Sequence, residues 1–118
     1  MANTTNTQMK KLVMLIMAVG MAAAWSARAA DAKENWKTHC VKCHGEEGKG
    51  DTKMGKKLGV KDYTDAKVQD AMKEDKMFKS VKEGIKDGDK TVMKAYGEEG
   101  LSDADIKALI TQVRAFKK

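Results

Sequence analysis

The sequence predicts an all-α domain of three to five short helices, and three observations carry that reading. No run of four or more residues alternates apolar and polar with the two-residue period of a strand. From Ser102 onward, apolar residues recur at helical spacing behind a capping signal. The chain has 10 glycines and no proline, so the breaks between helices are expected at glycine-rich stretches.

Within the 118 residues, 1–30 read as a cleaved secretory signal peptide and 31–118 as one domain. Lys10 and Lys11 precede an apolar run from Leu12 to Trp25, and Ala27, Arg28 and Ala29 then form the A-x-A pattern of a cleavage site. The run is shorter than the ~20 residues that cross a bilayer, and no cysteine near it can carry a lipid. No stable membrane insertion is therefore expected after cleavage, a retained N-terminal anchor being the alternative. The mature chain, about 88 residues, is small for a self-sufficient core. Two cysteines only three positions apart close a loop too short to compensate, which points to a metal or a large cofactor.

The formal charge of +6 reflects 23 basic and 17 acidic residues, and losing Lys10, Lys11 and Arg28 leaves 20 against 17, a net +3. Lysines and acids alternate along the mature chain, and the few aromatics (Trp36, Tyr63, Phe78, Tyr96, Phe116) interleave with no basic stripe. Nucleic acid is accordingly a poor candidate partner.

Along the domain, Asp31 can cap a first helix running toward Cys40, with Trp36 one turn earlier on the same face. The glycines at 45, 48, 50, 55 and 59 predict an irregular surface loop from Gly45 to Val60. Thr64 can cap a helix through Val68, Ala71 and Met72, and a further turn or two carries Met77, Phe78, Val81 and Ile85, with Gly84 as the stop. Residues 86–100 again read as loop. In the last helix Ser102 and Asp105 form a capping box, and Asp103 and Asp105 suit the positive end of the dipole. Arg114, Lys117 and Lys118 suit its negative end, while Ile106, Leu109, Ile110, Val113 and Phe116 make one apolar stripe.

The chemistry concentrates in Cys40-Val41-Lys42-Cys43-His44, the C-x-x-C-H pattern of covalent haem attachment. Three residues of helical turn bring both sulfurs to one side, where each can add to one of two neighbouring haem vinyl groups. His44 then presents its imidazole to the iron. A tetrahedral zinc site would draw a second ligand pair from a separate segment, and none is present. A thioredoxin-like dithiol would need a βαβ setting that the helical pattern does not offer.

The segments "CVKCHGEEGKGD" and "GIKDGDKTVMKAYGEEGLSDADIKALITQVRAF" resemble a small bacterial class I (monohaem) c-type cytochrome across the mature chain. The resemblance implies a cytochrome c-like fold, short helices wrapped around one covalently attached haem, with the N- and C-terminal helices crossing near Trp36 and Phe116. It also implies a second axial ligand in the loop before the last helix, and Met93 is the matching residue. The residues alone favour Met93, which follows a flexible segment far from His44, but leave Met54 and Met77 open. Met72 and Met77 also fit helix faces as core residues. The family's proline beside the axial methionine is replaced by Lys94, and its proline after the haem-binding loop by Lys56. A backbone carbonyl near Gly55 or Lys56 is expected to accept the Nδ1 proton of His44. His39 lies on the His44 side and reads as an exposed or edge-packing histidine.

The function implied is one-electron outer-sphere transfer in the periplasm through a single haem c bound by Cys40, Cys43, His44 and Met93. Its partners would be redox proteins. The alternative is a small haem peroxidase or gas-binding sensor with a labile Met ligand. Lys49, Lys53, Lys56, Lys57 and Lys94 would ring the haem edge and favour a partner with an acidic docking surface.

Overall fold

The computed structural model describes Arg28 and residues 30–118. The expected signal segment thus lies outside the described residues, Arg28 and Ala30 excepted. Helix α1 spans 30–39 and is already under way at Ala30, so Asp31 sits inside it and does not cap it. Alanines at 30 and 32, the best helix formers, let the helix start ahead of the acid. Trp36 and Cys40 are both buried, and the Cys40 amide donates to the Trp36 carbonyl at 2.9 Å, one turn apart as expected. Helix α2, Val41–His44, follows directly and ends at Gly45, whose φ of 81° favours glycine.

The stretch expected as loop contains a further helix, α3, Lys53–Leu58. Two local caps outweigh its glycine content. The Thr52 hydroxyl accepts from the Gly55 amide, and Gly59, left-handed at φ 68°, donates its amide to the Gly55 carbonyl. Helix α4, Ala66–Ala71, is capped by Asp65 and not by Thr64. Thr64 instead turns its amide and hydroxyl to Asp62 Oδ1, at 2.9 and 2.6 Å. Helix α5, Glu74–Glu83, stops at Gly84 as expected.

Ile85 does not continue α5. It opens a two-stranded antiparallel hairpin, β1 Ile85–Asp87 and β2 Lys90–Met93, with Ile85 opposite Met93 and a bulge after Ile85. Gly88, at φ 60°, and Asp89 make the two-residue turn. The Gly-Asp pair between two short β-prone runs was the available signal for it. The domain remains mainly helical. Helix α6, Asp103–Arg114, starts with the expected capping box, and Ile106, Leu109 and Ile110 are its buried residues.

The core lies where α1 crosses α6: Trp36, Cys40 and Leu109 are buried together, with Val41, Tyr63, Leu101, Val113 and Phe116 packed around them. The Trp36 and Phe116 rings meet at 5.0 Å between centroids. Gly48 lies so close to Phe116 that a Cβ there would come within 2.6 Å of the ring, which locks the loop after α2 onto α6. A second fastening joins α4 to α6. Gln69, 2% exposed, donates through Nε2 to the Tyr63 and Val113 carbonyls at 2.7 and 2.8 Å. Arg114 donates to the Gln69 and Met72 carbonyls at 2.6 and 2.7 Å, so it serves the C-terminal end of α4 more than its own helix dipole. Among the described residues no helix is long and apolar enough to cross a membrane.

Candidate cofactor site

Cys40, Cys43 and His44 fall on one turn because Cys40 is the N-cap of α2 and its carbonyl accepts from the Cys43 and His44 amides at 3.2 and 2.9 Å. The turn is held from three sides. Trp36 Nε1 donates to the Gly45 carbonyl at 3.1 Å, which fixes its C-terminal end. The Thr52 hydroxyl donates to the Cys43 carbonyl at 2.7 Å while accepting from the Gly55 amide at 2.9 Å, which ties α2 to α3. A Cβ on Gly55 would collide with the Cys43 carbonyl oxygen, so this contact requires glycine.

The imidazole of His44 packs against Tyr63, centroids 5.3 Å apart and nearly parallel, and against Trp36 at 5.7 Å. Burial lowers its pKa below the ordinary histidine value, favouring the neutral ring that a metal needs. Nδ1 is buried with no hydrogen-bond partner, which corrects the expectation of a carbonyl near Gly55 or Lys56. The Gly55 carbonyl is already engaged by the amides of Gly59 and Val60, because α3 ends there. With Nδ1 enclosed by protein, Nε2 is the nitrogen suited to binding iron.

Burial first, and the neighbouring Cys43 second, push the Cys40 thiol up to about 12. An attacking redox cysteine needs the opposite shift, so the dithiol alternative is poorly served here. Among the described residues no three His, Cys, Asp or Glu side chains group as a metal-ion site.

Met93 lies on a separate element, half-buried at the end of β2. One tie between the two segments is Tyr96, three residues on from Met93, whose hydroxyl donates to the His39 carbonyl at 2.9 Å. His39, half-buried, packs its ring tilted against that of Tyr96, 5.4 Å away. Helix α5 has Met77, Phe78 and Val81 on one apolar face, yet no side chain in it is fully buried. Sequence reasoning missed Thr52, Gln69 and the Tyr96 contact. Only Thr52 carried a local signal, as a capping residue before a short apolar and basic run.

The residues of the turn fit a haem c: two thiols one turn apart and an imidazole whose pKa burial lowers and whose Nδ1 is enclosed. A helical domain that presents a C-x-x-C-H turn at the crossing of its first and last helices is a small c-type cytochrome. Residues 27–111 match the family described as "Cytochrome C oxidase, cbb3-type, subunit III", and the chain belongs to that family. The solved structure of the c-type cytochrome KustC0563 is similar at a TM-score of 0.63 and 30% identity, covering 74% of this chain and 98% of that one. A variant of the same protein gives 0.61 and 30%, covering 74% and 99%. The search of curated proteins finds no match.

Proposed function

We propose that the chain is a periplasmic one-electron carrier with a single haem c, held by thioethers from Cys40 and Cys43 and ligated by His44 and Met93. The haem supplies a ferric/ferrous couple. The polypeptide supplies the rest. Cys40 and Cys43 would hold the haem covalently, each through one thioether. Trp36, Tyr63 and the enclosure of Nδ1 hold the His44 ring in a single orientation. The Met93 thioether, a soft donor, favours the ferrous state and raises the potential. The half-covered apolar face of α5 offers Met77, Phe78 and Val81 to a flat apolar group.

The observation that carries this reading is the C-x-x-C-H segment folded as one braced helical turn within the buried helix crossing. The hairpin and the Tyr96 contact restrain the Met93 segment, which supports a carrier over a peroxidase or gas sensor with a labile ligand. A partner with an acidic docking surface is supported by Lys42, Lys53 and Lys57, which line a pocket of about 320 Å³ with Met54. Among the described residues none of these three lysines is in an ion pair, whereas Lys49 is paired with Glu47 at 2.9 Å and leaves the ring.

The test is the protein exported with its own leader. The expected result is a reduced c-type spectrum and a mass equal to residues 31–118 plus one haem. A colourless product, a haem lost on denaturation, or an uncleaved leader would each remove the corresponding part of the reading.

A further inference from the structure

A methionine ligand on a surface segment must be held against thermal excursions, because each excursion exposes the iron to competing ligands. In this chain no proline stiffens that segment: Lys94 follows Met93. Its restraint comes from elsewhere. The 93–95 backbone is pressed against Gly84, where a Cβ would lie 2.6 Å from the Met93 carbonyl oxygen and 2.8 Å from the Ala95 amide nitrogen. The Tyr96 and Gly97 amides donate to the Val81 and Lys82 carbonyls at 2.9 and 3.1 Å, using groups that the end of α5 leaves free.

These bonds fasten Met93 to α5 and the hairpin. The Tyr96 side chain reaches further. Its hydroxyl crosses 57 positions of sequence to the carbonyl immediately before Cys40, at 2.9 Å, and its ring packs on His39 at 5.4 Å. One residue therefore connects the segment bearing the thioether to the segment bearing the attachment cysteines and His44.

We infer that Tyr96 is a positioning residue for the Met93 ligand, its phenol fixing the spacing between the two axial-ligand segments through the His39 carbonyl. This rests on the proposal that Met93 ligates the iron. Tyr96→Phe keeps the ring packing and removes only the donor. Losing one such bond raises the population of the detached-methionine state, and with it the affinity for an external ligand, about threefold to tenfold.

The experiment titrates cyanide against the ferric haem-bound wild type, Tyr96→Phe, Met93→Ala and the double variant, and records the reduction potential of each. Tyr96→Phe should attach haem normally, bind cyanide about threefold to tenfold more tightly and show a lowered potential. The double variant should bind cyanide as Met93→Ala does, since the phenol acts only through the thioether. Unchanged cyanide affinity and potential in Tyr96→Phe, with or without a loss of thermal stability, would overturn the inference while leaving Met93 as ligand. An equal increment from Tyr96→Phe in both backgrounds, or a Tyr96→Phe chain that attaches no haem, would also overturn it. If Met93→Ala itself leaves cyanide affinity unchanged, the ligand assignment fails and the inference falls with it.

Discussion

The crossing of α1 with α6 and the hairpin beside α5 hold the two proposed iron ligands in different ways. At the crossing, His44 sits beside buried side chains: Trp36, Cys40 and Leu109 exclude water, and the Phe116 ring packs tilted against Trp36. At the hairpin, Met93 is held by backbone hydrogen bonds, a glycine contact and one phenol, while the apolar residues of α5 stay half-buried. Packing of the first kind opens only when the domain unfolds. Restraint of the second kind can be lost one bond at a time. The histidine side should therefore behave as part of the folding unit, and the methionine side as an adjustable element whose looseness sets potential and ligand access.

The largest expected effect lies at the crossing. Trp36→Ala should cost about 3–5 kcal/mol, because it leaves a large cavity and removes the bond to the Gly45 carbonyl at 3.1 Å. Phe78→Ala, on the half-covered face of α5, should cost about 1 kcal/mol in the haem-free chain. Denaturant midpoints of the two variants measure the contrast, and similar losses would erase it.

Arg114→Lys comes next. A lysine cannot span the Gln69 and Met72 carbonyls, now reached at 2.6 and 2.7 Å, so the end of α4 loses its donors. The expected loss is about 2 kcal/mol, read by the same denaturation, with cyanide affinity unchanged. Altered cyanide binding in this variant would mean that the α4–α6 fastening also controls the methionine side.

A smaller effect is pH dependence on the histidine side. Burial lowers the His44 pKa below 6.5, so before haem attachment the unfolded chain binds the proton more readily than the folded one. Stability then rises with pH across that window. The contribution is fully present above about 6.5 and is lost as pH falls toward the lower folded-state value. Urea midpoints of the haem-free chain between pH 7.5 and pH 5 should decline, and His44→Gln should flatten the decline.

The smallest effect on stability, and a kinetic one, comes from the surface. Lys53→Glu with Lys57→Glu should leave the denaturant midpoint nearly unchanged. It should weaken the salt dependence of electron transfer to an acidic redox protein, most visibly below the ionic strength where the Debye length is about 10 Å. An unchanged slope would take docking away from the lysine-lined pocket near α2 and α3.

What the sequence determined by itself was the local chemistry. The spacing of Cys40, Cys43 and His44 places three donors on one turn, Ser102 and Asp105 start α6, Gly84 ends α5, and Trp36 shares a face with Cys40. Each is a relation within about one helical turn, where side-chain identity and periodicity carry the information. Helix 53–58 and the hairpin carried only weak local signals, in Thr52 and in Gly88 with Asp89, and tertiary structure alone decided that the Met93 segment docks on α5 and that Gln69 and Arg114 clasp α4 to α6. It also decided that the Gly55 carbonyl serves Gly59 and Val60 and does not reach His44 Nδ1, and that Tyr96 finds the His39 carbonyl. Most of these contacts end on backbone carbonyls. Every residue has one, so no side chain in the sequence marks which carbonyl a distant donor will meet; only the packed fold selects it.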